Sequence, residues 1–67
     1  MAMLALKVME RETFNNIMRE YNYPQDVIDL LWTENPYMGQ EIGEESLRKT
    51  AREMAYLWHI QLPENLN

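Results

Sequence analysis

Residues Tyr21 to Glu45, YNYPQDVIDLLWTENPYMGQEIGEE, contain the breaks that divide this 67-residue chain into three helical segments. Pro24 suits the first turn of a helix, where its missing N–H costs nothing. Asn35 precedes Pro36 and is therefore disfavoured in the helical region, which ends the segment. The sequence predicts a short second helix over about Pro24–Glu34. Its apolar face comprises Val27, Ile28, Leu31 and Trp32.

A third helix is predicted to begin after Gly43, which serves as its N-cap. Glu44 and Glu45 fall in the first turn, where the positive end of the helix dipole favours acids. The i,i+4 spacing predicts three pairs of opposite charge, Glu44–Arg48, Glu45–Lys49 and Lys49–Glu53. Pro63 cannot continue a helix, so the end is expected near Gln61. Helical spacing aligns one core-facing stripe, Leu47, Ala51, Met54 and Trp58.

The first helix is predicted to run from about Met3 to Tyr21, because most residues in its first half are strong helix formers. Its apolar stripe has the spacing i, i+3, i+4 and i+7 and consists of Phe14, Ile17, Met18 and Tyr21. The alternation of Leu4, Leu6 and Val8 also fits a short strand. Such a strand would have nothing to pair with except another chain.

We therefore predict an all-α fold, a small three-helix bundle with a long first helix, a short second helix, a loop and a third helix. It forms a single domain over residues 1–62, followed by a C-terminal tail, 63–67. A chain of this length buries only about 60% of the surface that its unfolded form exposes, so its stability is expected to be small. The predicted core comprises Phe14, Ile17, Met18, Leu31, Trp32, Leu47, Met54 and Trp58.

The composition argues against several kinds of chemical site. The chain has no Cys, which excludes disulfides and thiolate metal sites. His59 is the single His, so paired-His metal motifs cannot occur, and we expect it to have a surface or packing role. Ser46 has no nucleophile-elbow sequence around it, and Gly39 and Gly43 do not form a phosphate-binding loop. We predict a protein without enzymatic activity, cofactor or bound metal.

Charge is unevenly distributed along the chain. The net charge is −5, and no Lys or Arg lies between Arg19 and Arg48. The acids of that stretch are Glu20, Asp26, Asp29, Glu34, Glu41, Glu44 and Glu45. Two interpretations are open: a solvated surface that maintains solubility, and a docking face for a basic partner.

Tyrosine and methionine side chains within this acidic stretch indicate a protein interface, where both residue types are enriched. An acidic rim around such anchors suits an Arg-rich target. The leading hypothesis is a non-enzymatic module that binds and inhibits a larger, basic, nucleic-acid-handling protein, by analogy with the small acidic inhibitors that mobile elements carry. The predicted partner-binding residues are Tyr21, Tyr23, Asp26, Asp29, Glu34, Tyr37, Met38 and Glu41.

Two alternatives remain. The first is a homo-oligomer in which the apolar N-terminal segment packs against its symmetry mate. The residues predicted for that contact are Met3, Leu4, Leu6 and Val8. The second is DNA binding through Arg48, Lys49 and Arg52 on the third helix, and the acidic composition of the chain argues against it. A helix-turn-helix also requires a turn of three or four residues, whereas about nine separate the second and third predicted helices.

The N-terminal apolar run, Met1 to Leu6, is far shorter than a membrane-spanning helix. A signal peptide requires a positively charged region before its apolar stretch, and no positive residue precedes this run. We therefore expect a cytoplasmic protein without a membrane partner.

Overall fold

The computed structural model describes residues 9–35 and 43–66 of the chain. These ranges contain three α-helices: α1 (Arg11–Glu20), α2 (Gln25–Glu34) and α3 (Glu44–Glu53). Two short 3-10 turns follow α3, Ala55–Trp58 and Glu64–Leu66. No strand occurs within the described ranges, so the prediction of an all-α fold is confirmed.

Helix α1 begins later than the sequence predicts. Glu10 is its N-cap and has an extended backbone, with φ −73° and ψ 151°, while its carbonyl accepts from the N–H of Phe14 at 3.0 Å. The prediction of one continuous helix from Met3 is therefore wrong at residues 9 and 10, and residues 3–8 lie outside the described part of the chain. Helix propensity alone is a weak determinant of where a helix begins. The apolar stripe that α1 buries begins only at Phe14.

Helix α2 matches its prediction to within one residue. Pro24 is the N-cap, with φ −74° and ψ 156°, and its carbonyl accepts from the N–H groups of Val27 and Ile28. At the other end Asn35 leaves the helical region, with φ −133° and ψ 69°, as expected for a residue before a proline.

A left-handed residue ends α1 and starts the tight connection to α2. Asn22 has φ 69°, and its N–H donates to the carbonyl of Arg19 at 3.0 Å. The N–H of Tyr23 donates to the carbonyl of Met18 at 3.1 Å. This pair of bonds is a Schellman motif, in which the residue after the left-handed position packs back on the helix. The motif directs Tyr23 inward, where it is buried.

Helix α3 starts as predicted at the Gly43 cap, but the prediction that it continues to near Gln61 is wrong. After the Ala55–Trp58 turn, His59 adopts φ 56° and ψ 42°. The N–H of Ile60 donates to the carbonyl of Ala55 at 2.9 Å, and the N–H of His59 to that of Tyr56 at 3.3 Å. A second Schellman motif thus reverses the chain, so that apolar residues after His59 pack on the core.

The core is one continuous cluster, and α1 packs against both α2 and α3. Its buried members are Met9, Phe14, Ile17, Met18, Tyr21, Tyr23, Ile28, Leu31, Leu47 and Ala51. Burial confirms five of the predicted core residues, Phe14, Ile17, Met18, Leu31 and Leu47. The other three pack at the margin and are only partly buried, Trp32, Met54 and Trp58.

Candidate functional site

Two of the predicted interface tyrosines lie in the core, so the prediction that they present their rings to a partner is wrong. Tyr21 is 2% exposed and Tyr23 is 3% exposed. The Tyr23 hydroxyl donates to the carbonyl oxygen of Ala51 at 2.8 Å, and Arg52 Nη1 donates to the Tyr21 hydroxyl oxygen at 3.4 Å. Each ring is buried while its polar tip has a partner on α3, which is the usual way to accommodate a buried tyrosine.

Burial also changes the acidity of Tyr23. Loss of solvation raises the pKa of its phenol from 10.0 to about 12, because the phenolate is poorly stabilised away from water. Tyr23 is therefore a neutral hydrogen-bond donor that joins the start of α2 to the last turn of α3.

The acids predicted for partner binding on α2 are exposed. Asp26, Asp29 and Glu34 all lie on the solvent side of this helix. Tyr37, Met38 and Glu41 lie outside the described residues, so their role stays a prediction.

Asp29 is engaged within the chain, in a polar seam formed by Arg11, Arg19, Gln25 and Asp29. Arg11 forms a salt bridge with Asp29, and Gln25 Nε2 donates to Asp29 Oδ1 at 2.9 Å. Arg19 Nε donates to Gln25 Oε1 at 3.0 Å, which completes a row of bonds between α1 and α2. Asp29 is therefore less available to a partner than its exposure alone indicates.

Arg11 also stacks at the end of this seam. Its guanidinium carbon lies 5.6 Å from the centroid of the Trp32 ring, which in turn packs on Phe14 with a 5.1 Å centroid separation. The start of α1 is thereby held against the second half of α2 by both a charge pair and an aromatic contact.

A surface leucine lies between the two remaining acids of α2. Leu30 is 44% exposed, with Asp26 four residues before it and Glu34 four residues after it. Residues four apart are neighbours on a helix surface. Within residues 9–35 and 43–66, no Lys, Arg or His lies within salt-bridge distance of Asp26 or Glu34. We define Asp26, Leu30 and Glu34 as the docking face.

Sequence reasoning missed Leu30, although its position carried a usable signal. The buried residues of α2 are Ile28 and Leu31, with Val27 and Trp32 beside them. Leu30 falls on the opposite side of a 3.6-residue helix from the centre of that stripe. A large apolar residue out of phase with the core-facing stripe is a candidate contact residue.

The basic residues of α3 are partly occupied by contacts within the chain. Arg48 lies 3.6 Å from a carboxylate oxygen of Glu20 and 3.8 Å from one of Glu44, so the predicted Glu44–Arg48 pair is confirmed. The predicted pairs of Lys49 with Glu45 and Glu53 are not among the salt bridges of the described residues. Arg52 contacts Tyr21, while Lys49 is exposed. The two carboxylates beside Arg48 reduce the positive charge that this helix offers to a phosphate backbone.

Two further large apolar side chains are exposed, side by side in the turn after α3. Tyr56 is 73% exposed and Leu57 is 60% exposed. His59 follows them, exposed at the left-handed position of the second Schellman motif. Its surface position agrees with the role predicted for it.

Other kinds of site have little support in the described ranges. No group of three or more His, Asp or Glu side chains is arranged to hold a metal ion there. No helix in the same ranges is long and apolar enough to cross a membrane. The protein-family models, the curated proteins and the solved structures compared with this chain give no match.

Proposed function

We propose that this protein is a non-enzymatic interaction module that binds a larger protein with a basic surface through its docking face. The observation that carries this proposal is the exposure of Leu30 between Asp26 and Glu34. Protein interfaces combine an apolar centre with a polar rim, and an exposed leucine between two acids has that arrangement. The acids would steer a basic partner and the leucine would fill an apolar recess on it.

The segment that follows α2 extends this face in the proposal. Tyr37, Met38 and Glu41 come directly after the docking face along the chain and continue its acidic and apolar composition. Asp29 has a supporting role, because its salt bridge with Arg11 fixes α2 on α1. Tyr21 and Tyr23 act from the core, where they fix the start of α2 through their contacts with α3.

Occupancy is the proposed mode of action. The module would cover a functional surface of its partner and so inhibit it, and a nucleic-acid-handling protein is the class whose basic surfaces best complement the acids. The proposed fold is a three-helix bundle that forms a single domain over residues 1–62. The proposed location is the cytoplasm. Contacts of α1 with both other helices support the bundle arrangement.

Capture from a lysate of the source cells tests the proposal when matched variants are compared. The docking-face variant is Asp26→Lys with Glu34→Lys, and the control is Glu12→Lys with Glu64→Lys. Each pair changes the net charge by the same amount, and each removes an exposed acid from the first turn of an α-helix. A circular-dichroism melt establishes that both remain folded.

The expected result is a basic protein that is retained by the wild type and the control, elutes at moderate salt, and is lost with the docking-face variant. Retention of the same protein by all three forms would show that it binds elsewhere. Equal loss with both variants would show a response to net charge alone, and the docking face would then be a solubilising surface.

A further inference from the structure

Beyond α3, the chain continues as an arm that lies on the core. We define residues 58–66 as the C-terminal arm. Its apolar side chains Trp58, Ile60 and Leu62 pack on the core and are only partly buried, while the residues between them are exposed. The arm therefore covers the core with every second side chain and leaves each of these side chains partly accessible to solvent.

Few hydrogen bonds hold the C-terminal arm in place. Across residues 9–35 and 43–66, one bond joins the arm to the chain that precedes α3, from Asn22 Nδ2 to the carbonyl oxygen of Gln61. This bond is exposed, and the net contribution of such a bond to stability is modest. The Schellman motif at His59 joins the arm only to the turn directly before it.

Two local features oppose the closed position of the arm. His59 holds φ 56° and ψ 42°, a left-handed conformation that is unfavourable for a residue with a β-carbon. The indole Nε1 of Trp58 is buried and has no hydrogen-bond acceptor within the described part of the chain, so its N–H loses solvation without compensation. Detachment of the arm relieves both, because the backbone leaves the left-handed region and the indole N–H reaches solvent.

The helices enclose the centre of the core without the arm. The largest fully buried side chains all belong to α1, α2 or α3, and they are Phe14, Met18, Ile28 and Leu47. The Tyr23–Ala51 hydrogen bond also joins the start of α2 to α3 without a contribution from the arm. Because burial of apolar helix faces is the main source of helix stability in a small domain, these contacts favour a folded core even when the arm is detached.

We propose that the C-terminal arm detaches from the core as one unit, with its hinge at His59, while α1, α2 and α3 stay folded. Proteins commonly open in such cooperative units at a lower free energy than global unfolding requires. The weak attachment through Asn22, the left-handed hinge and the unpartnered indole all place this arm at the low-stability end of the fold.

Opening changes which apolar side chains are accessible. Tyr56 and Leu57 are already exposed in the closed form, and opening adds Trp58, Ile60 and Leu62 to them. The chain thus has a second folded form that presents a continuous apolar segment. The docking face lies on the solvent side of α2, so this opening does not depend on the partner proposed above.

Hydrogen exchange of the full chain in increasing urea, followed by NMR, tests the opening. The N–H of Ile60, which donates across the reversal to the Ala55 carbonyl, is compared with the N–H of Met18 inside α1. Protection of Ile60 should be lower by on the order of 10-fold or more. Its opening free energy should fall with urea, but less steeply than that of Met18, because opening exposes only the surface under the arm. The indole N–H of Trp58 should follow Ile60.

The urea dependence decides between three kinds of opening. A free energy and slope equal to those of Met18 would show that the arm leaves only when the whole chain unfolds, and this would overturn the proposal. A slope of zero at Ile60 would show the breaking of a single bond without detachment of the arm, and this would also overturn it.

Two glycine variants separate detachment of the arm from global unfolding. Asn22→Gly removes the bond to Gln61 and tolerates the left-handed position, so Ile60 and Met18 should both exchange about 2- to 10-fold faster. Leu30→Gly weakens α2 on its solvent side, so Met18 should exchange about 2- to 5-fold faster while Ile60 keeps its wild-type rate. Equal acceleration of both amides by Leu30→Gly would overturn the proposal.

His59→Gly tests the position of the hinge. Glycine accepts the left-handed conformation of the closed form, so exchange of the Ile60 N–H should slow by about 2- to 5-fold. Faster exchange of Ile60 in this variant would show that the reversal does not oppose closure, and the hinge would not be at His59.

Discussion

Asn22 donates a hydrogen bond from its side-chain Nδ2 to the main-chain carbonyl oxygen of Gln61, over 2.9 Å. The bond joins the two places where the chain reverses through a left-handed residue. Asn22 ends α1, and Gln61 lies two residues after His59, which ends the turn after α3. Thirty-nine positions of sequence separate the bonded residues, so this contact ties the C-terminal reversal to the α1–α2 corner.

Asn22 should be more sensitive to Ala than to Gly. Asn22→Ala removes the bond to Gln61 and also places a residue poorly suited to positive φ at the left-handed position, so we expect a loss of about 1–2 kcal/mol in the free energy of unfolding. Asn22→Gly removes the bond but tolerates φ 69°, and its loss should be smaller. Urea denaturation of the three forms measures the order. An equal loss in both variants would contradict the prediction.

Glycine should stabilise the chain at position 59, whereas it destabilises the chain at position 22. The side chain of His59 makes no hydrogen bond to the residues that the structure describes, so none is lost on substitution. A non-glycine residue in the left-handed region costs about 1–2 kcal/mol, and glycine offsets part of that gain by its greater freedom in the unfolded chain. His59→Gly should therefore raise the free energy of unfolding by about 0.5–1 kcal/mol. His59→Ala is the control, since it keeps a β-carbon at φ 56° and should give no gain. A destabilised glycine variant would contradict the prediction.

The sequence revealed helix boundaries where a local signal marks them and missed boundaries that depend on tertiary contacts. Pro24 and Gly43 mark helix starts by their own chemistry, and both starts are close to the predicted positions. Asn22 and His59 reverse the chain without a glycine, and the return of apolar residues to the core stabilises each reversal. Burial of Tyr23 follows from the first reversal, so sequence pattern alone could not assign it to the core.

The free energy of unfolding should depend on pH through Tyr23. Burial raises the pKa of its phenol from 10.0 to about 12, so between these values the unfolded chain has released this proton while the folded chain retains it. The stabilising contribution is therefore complete below pH 10 and is lost as pH rises towards about 12. Tyr23→Phe should be less stable at pH 8 by about 1 kcal/mol, because the bond to the Ala51 carbonyl is removed.

Comparison of the Tyr23→Phe difference at pH 8 and pH 11 isolates this group from the other side chains that titrate in base. The difference in free energy of unfolding between wild type and variant should shrink at the higher pH. Tyr56→Phe is the matched control, because its hydroxyl is on a side chain that is 73% exposed, and it should change neither value. A difference that is constant with pH would mean that Tyr23 titrates alike in the folded and unfolded chains.

Leu30 and Leu31 are adjacent in sequence but should contribute to different properties. Leu31 is 4% exposed, and Leu31→Ala should cost about 2–4 kcal/mol in the free energy of unfolding because it leaves a cavity in the core. Leu30 is 44% exposed, and Leu30→Ala should change that value by less than about 0.5 kcal/mol, since alanine also favours the helix. The same Leu30→Ala variant should weaken partner capture, because it removes the only apolar side chain of the docking face. If Leu30→Ala proves as destabilising as Leu31→Ala, this leucine packs within its own chain. The outer side of α2 would then have charge but no apolar anchor, and its acids would serve solubility.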